Sequence, residues 1–225
     1  MDDSAGTAPG GAAVPARTAA PPSVGLWVLL CAGAEAVGMT AAVGAVVVSQ
    51  ALVGEPAGAP GVAGVVGLVL AGGLVEGLVL GSAQALGLRR WLPGTAVPWI
   101  VATVVVAGLG WAAGSLPSVL SDTEGMTEPA VPVVVGLAAS LGALMGAALG
   151  AAQALVLRRR VAHPWRWVGA SALAWAGAMP VIFLGASAAP AEWPAPVLLL
   201  LGMGTGTMAG AVLGGVGGWF LRYLD

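Results

Sequence analysis

Two glutamates stand where a carboxylate is hardest to keep. Glu35 lies inside an apolar run from Val24 to about Val53, and Glu76 inside the next, at about 61–88. A charged side chain at mid-membrane costs several kcal/mol unless it is paired, neutral or hydrated, and it marks a functional site by default. A helix running outward from Val24 puts Glu35 ~16 Å deep at ~1.5 Å per residue. A second helix returning to end near Leu88 puts Glu76 ~18 Å from the same face. The two acids therefore share a depth on antiparallel neighbours. If they face each other, like charge and desolvation both oppose double ionisation, and one shared proton is expected. Two chemistries fit: a station for a proton or small cation, or an interhelical clasp.

The other polar candidates are few. Gln84 and Gln153 sit in equivalent apolar contexts, about a turn before arginines, and suit either interhelical hydrogen bonding or a polar mouth leading into the bundle. Cys31 stands alone, which excludes an intrachain disulfide, and reads as a small buried hydrophobe. His163, the sole histidine, lies among arginines and has no second ligand in the sequence. No nucleophile elbow, phosphate loop or zinc spacing appears. The expectation is a protein with no catalytic residues, metal or cofactor, and not an enzyme.

Composition says what must position these groups. Of 225 residues, 58% are hydrophobic and 8% charged, against roughly 25% charged in a soluble domain. The mean hydropathy is +0.95, so too little polar surface exists to cover a soluble exterior. There is no lysine, and all eight basic residues are arginine. With so few charges and no domain to display them, a nucleic-acid partner is excluded.

Residues 1–23, rich in Ala, Pro and Gly, read as a disordered arm. The run after them far exceeds a signal-peptide core and is long enough to span. Further runs fall at about 61–88, 97–117, 131–157, 167–189 and 196–221, separated by Pro- and Gly-bearing breakers. Backbone in lipid must satisfy itself, so each run predicts a helix. The fold class is an all-α integral membrane protein with six transmembrane helices.

The second, fourth and sixth runs share a ladder. Gly73, Gly77 and Gly81 recur as Gly142, Gly146 and Gly150, then as Gly206, Gly210 and Gly214. The offsets are 69 and 64 residues, and at those offsets Leu88, Leu157 and Leu221 coincide, as do Arg89, Arg158 and Arg222. Gln84 matches Gln153, but Gly217 stands in the third copy. Spacing by four lines each trio along one helix stripe, where missing side chains let another backbone approach. This predicts three tandem helix pairs with glycine-zipper packing, in repeats at about 24–90, 96–160 and 166–225. A pseudo-threefold bundle with the ladder helices inside fits the pattern, as does a linear array of pairs. On the last helix Gly202 and Gly218 extend the stripe to five glycines, suggesting a face for another subunit. Among the intervening runs, Trp167 and Trp175 match Trp27 and Glu35, and Trp111 takes the place of Trp175 if a two-residue gap is allowed.

Charge sets the orientation. Arg17, Arg89, Arg90, Arg158, Arg159, Arg160, Arg166 and Arg222 all fall on the side of the N-terminus, and the opposite loops hold Glu55, Asp122, Glu124, Glu128 and Glu192 without a base. Cytoplasmic loops carry the excess of Arg and Lys, so both termini are expected in the cytoplasm. The arginines from Arg89 to Arg222 suit a topogenic role or anionic lipid head groups. Trp91, Trp99, Trp165, Trp167 and Trp219 would form an aromatic belt at that face.

The helix ends Gly81-Ser82-Ala83-Gln84-Ala85-Leu86-Gly87-Leu88-Arg89-Arg90 and Gly150-Ala151-Ala152-Gln153-Ala154-Leu155-Val156-Leu157-Arg158-Arg159-Arg160 share the pattern G-x-x-Q-x-L-x-L-R-R. It resembles the helix ends of uncharacterised bacterial multi-pass membrane proteins, in which Trp usually follows the Gln; here Ala85 and Ala154 replace it. The resemblance covers nearly all of the chain after residue 24 and implies a bacterial cytoplasmic membrane, but no activity. Two functions remain open. One is a structural or assembly protein whose partners are the lipid bilayer and another membrane protein or itself. The other is a proton or small-cation conduit or transporter using Glu35 and Glu76.

Overall fold

The computed structural model describes residues 19–53, 58–120, 129–190 and 192–225. Most of the expected N-terminal arm, Arg17 included, and the loop acids Glu55, Asp122, Glu124 and Glu128 lie outside the described residues. Within them the chain forms six helices and no strand: α1 (Val24–Val53), α2 (Gly58–Leu88), α3 (Ala96–Leu120), α4 (Val131–Leu157), α5 (Arg166–Ser187) and α6 (Ala195–Leu221). Each is long and apolar enough to cross a membrane, so this is a multi-pass membrane protein. Most helix ends fall within a residue or two of the expected boundaries; α2 and α3 extend further. α2 begins before Pro60, because a proline in a first turn lacks an N–H that would have no intrahelical partner anyway. α4 and α6 open with proline for the same reason. α3 continues three residues past the expected end, to Leu120. α5 carries Pro180 in its interior.

Each helix packs on its neighbours in sequence, and α6 closes on α1. The result is a ring, not a linear array. No ladder helix lies against another, so α2, α4 and α6 are not gathered inside as expected. The reason is that each ladder faces a helix of the other kind. A methyl group added at Gly81 would come 3.2 Å from the Cα of Ile100 on α3, and one at Gly150 would come 2.8 Å from the Cα of Val168 on α5. One added at Gly214 would run into the Cα of Val28 on α1. Gly77, Gly146 and Gly210 meet Val104, Ala172 and Ala32 in the same register. The ladder of α2 thus faces α3, that of α4 faces α5, and that of α6 faces α1. The loosest seam lies between α3 and α4.

This register also corrects the pairing of the tryptophans. Trp27, Trp99 and Trp167 are equivalent without gaps, and so are Met39, Trp111 and Met179, which meet Gly206, Gly73 and Gly142. Ala107 therefore takes the place of Glu35 and Trp175; Trp111 lies one turn further on.

The arginine end is tied together by its turns. Thr95 Oγ1 donates to the carbonyl of Leu92 at 2.7 Å, and Gly94 supplies the left-handed φ of +79° that the α2–α3 turn needs. The chain end crosses to the α4–α5 turn: His163 N–H donates to the carbonyl of Leu224 at 2.9 Å, and Arg166 Nη1 to that of Tyr223 at 2.9 Å.

Candidate functional site

Glycines make the room for Glu76. A methyl group at Gly38 of α1 would lie 2.7 Å from Glu76 Cγ, so the carboxylate stem rests directly on the α1 backbone. On its other side Gly73 leaves a gap that the Trp111 indole fills, and a side chain there would collide with that ring. From this gap Trp111 Nε1 donates to Glu76 Oε2 at 3.0 Å. Among the described residues no hydrogen bond reaches Oε1. Glu76 is 6% exposed.

Glu35 sits one turn of α1 before Gly38, on the face that meets α2. It is 0% exposed, and neither of its carboxyl oxygens has a hydrogen-bond partner among the described residues. Glu76 is near it in the fold, since the Glu76 stem lies against Gly38, one turn along α1 from Glu35. The pair thus comes together, with a division that the sequence did not suggest. Glu76 is held by a donor, while Glu35 is enclosed behind it without one.

Glu76 lines a cavity of about 940 Å³. Its walls come mainly from α2, α3, α4 and α5, with Met39 alone from α1 and nothing from α6. That asymmetry follows from packing: α1 and α6 meet tightly along the glycine stripe, while the α3–α4 seam is the loosest of the ring. The cavity runs from Leu80, Thr103 and Leu149 to Val62, Ser115 and Ala186, near the helix ends remote from the arginines. Apart from Glu76, Thr103, Ser115 and the indoles of Trp111 and Trp175, the lining is apolar.

The other end is plugged. Trp99 Nε1 donates to Gln84 Oε1 at 3.0 Å, and Trp167 Nε1 to Gln153 Oε1 at 2.7 Å, the same bond in two repeats. Gln153 Nε2 bridges the α3–α4 seam to Thr103 Oγ1 at 3.0 Å and reaches past it to Gln84 Oε1 on α2 at 3.4 Å, and Gln84 Nε2 points at Cys31 Sγ at 3.9 Å. Both glutamines are buried in this network, which closes the ring where an open polar mouth had been one expectation. In the third repeat Gly217 replaces glutamine because Trp27 and Trp167 meet edge to face there, with ring centroids 6.3 Å apart. A methyl group at Gly217 would already lie 3.0 Å from Trp27 Nε1 and 3.3 Å from the Trp167 ring.

The remaining candidates fall outside the site. Arg89, Arg90, Arg158, Arg159, Arg166 and Arg222 are exposed at one end of the ring, with Arg160 half-buried beside them. Arg222 lies over the Trp219 ring at 4.2 Å. His163 is exposed and Cys31 buried. Two expectations need correction. Trp165 and Trp219 are exposed as a belt requires, but Trp91, Trp99 and Trp167 are buried; for Trp99 and Trp167 the indole N–H finds a glutamine inside. The five glycines of α6 offer no face to a partner, because α1 covers all of them, from Val43 at Gly202 to Val24 at Gly218.

Sequence reasoning missed Gly38, Trp111 as the partner of Glu76, and Thr103. A signal existed for the first, since Gly38 stands three residues after Glu35 and so shares its helix face. Nothing in the spacing assigned Trp111 to Glu76. Comparison with family models, with curated proteins and with solved structures found no match, so fold and site stand on their own geometry.

Proposed function

We propose that the ring is a membrane-embedded chamber in which Glu76, with Glu35 behind it, takes up and releases a proton or small cation, so that the protein works as a conduit or transporter. The observation that carries this reading is the Glu35 carboxyl group, fully enclosed without a hydrogen-bond donor beside a second carboxyl group that lines a large cavity. Two carboxyl groups so placed need a proton or cation between them, and an acid inside a membrane span is rarely kept without function. A clasp is poorly served, since neither oxygen of Glu35 is hydrogen-bonded within the described residues. The cavity supplies a path from one end of the ring, and the Gln84–Gln153 plug would be the gate at the other. No catalysis is assigned.

The sidedness belongs to the same proposal. Arginines crowd one end and Glu192 stands exposed at the other. That supports a bacterial cytoplasmic membrane with both termini inside, and the exposed arginines in reach of anionic head groups.

The test is flux in proteoliposomes under an imposed pH or cation gradient. The wild-type protein is expected to dissipate the gradient, and Glu76→Gln and Glu35→Gln to stop it while the fold persists. A wild-type protein that conducts nothing and co-purifies with a membrane partner would favour the assembly role. Such a partner would have to bind elsewhere than on the α6 glycines.

A further inference from the structure

We infer that the chamber takes a lipophilic monovalent cation, an amine or onium ion with apolar substituents; this rests on the reading of Glu76 as an ion-accepting group. The argument begins with what the cavity cannot hold. A hard metal cation needs several oxygen ligands to replace its water. Besides Glu76 the lining side chains offer two hydroxyls: that of Thr103, which already donates to the Trp99 carbonyl at 2.9 Å and accepts from Gln153, and that of Ser115, which donates to the Trp111 carbonyl at 2.8 Å. An anion finds no positive group: apart from Arg166 at the start of α5, the titratable side chains within the spans are Cys31, Glu35 and Glu76. A neutral apolar molecule would leave the carboxyl pair uncompensated.

An organic cation satisfies each wall in turn. Val66, Val69, Val106 and Leu141 accept apolar substituents, and about 940 Å³ lies within the usual range for pockets that enclose drug-sized molecules. Trp111 and Trp175 present indole rings to the interior, and such rings attract cations that have lost their water. Trp111 engages Oε2 of Glu76 and leaves Oε1 for the ion. Of the two carboxyl groups only that of Glu76 lines the cavity, so one charge is the complement, not two. The α3–α4 seam, the loosest of the ring, is where such a molecule would enter from the lipid.

Equilibrium dialysis of the full chain in lipid nanodiscs tests this with two ions of matched size and opposite charge, tetraphenylphosphonium and tetraphenylborate. The expected result is saturable binding of the phosphonium, one ion per chain, with the borate about ten- to hundredfold weaker. Glu76→Gln should weaken the phosphonium by a similar factor, and Val106→Trp, which fills the cavity without touching the charge, should weaken it too. Size-exclusion profiles establish that both variants are folded. Equal binding of the two ions, or phosphonium binding unchanged in both variants, would mean simple partitioning into an apolar space and would overturn the inference. Absence of binding beside Glu76-dependent proton flux would also overturn it, leaving the conduit reading intact. Glu76-dependent binding without any flux would uphold it and remove the conduit.

Discussion

Glu35 and Glu76 are the same residue in two different surroundings, and the difference makes opposite predictions. Glu76 accepts from Trp111, so Glu76→Leu strands a half-buried indole N–H and should lower stability by about 1 kcal/mol. Glu35 has no donor to lose. Glu35→Leu replaces an unsatisfied buried carboxyl group with an apolar side chain of similar size, and should hold or raise stability by about 1–2 kcal/mol. Thermal melts in mild detergent read both changes. A fall with Glu35→Leu equal to that with Glu76→Leu would restore the clasp. Of this pair the sequence disclosed the neighbourhood, because helical rise and a short α1–α2 connection determine it. It did not disclose which acid faces the cavity, because that depends on the rotation of α1 and α2 and on a glycine gap filled from α3.

At the scale of the element, these helices are apolar on every side, so amphipathicity does not say which face turns inward. The glycines do. A stripe without side chains is where a neighbouring backbone can come closest, and in each ladder it does. The prediction follows on a single helix. Gly210 lies against the Cα of Ala32, 2.6 Å from where a methyl group would sit, whereas Gly204 has nothing within 4 Å. Gly210→Leu should therefore cost ~1–3 kcal/mol or more by forcing α6 from α1, and Gly204→Leu should be silent in the same melt. Equal melting temperatures would mean that α1 and α6 are not joined at this seam. The stripe is spent within the chain, so Gly210→Leu should act on the fold of the monomer and not on a partner. The existence of the seams was legible in the spacing. Their partners were not, because four-residue spacing names a face and not the helix opposite it.

The whole molecule has an end rich in arginine and an end without it, and this can be read by labelling. Cys31 is buried and gives no background. Ala162 in the α4–α5 turn and Ser187 at the far end of α5 are both exposed. A membrane-impermeant maleimide should reach Ala162→Cys from the cytoplasmic side alone and Ser187→Cys from the opposite side alone. Thr95, a natural choice for such a probe from sequence, is buried and would label poorly for that reason. Labelling of both positions from one side would remove the orientation.

What the chain determined by itself was everything that depends on neighbours along it. Runs of apolar residues between prolines and glycines must become helices, since no water is present in the bilayer core to satisfy an open backbone. Arginine position sorts the ends, and repeated offsets reveal the three copies. The tertiary structure decided what depends on closure. α6 returns to α1, so three ladders make a ring in place of a row, with the ladder helices apart. Closure also concentrates tight backbone contact at the α1–α6 seam and leaves the α3–α4 seam the loosest, and the cavity lies on that looser side. Trp111 and Glu76 are 35 positions apart in the chain and 3.0 Å apart in space. Such a contact is set by which residues the ring brings together across a glycine gap, and that is a property of the assembled fold.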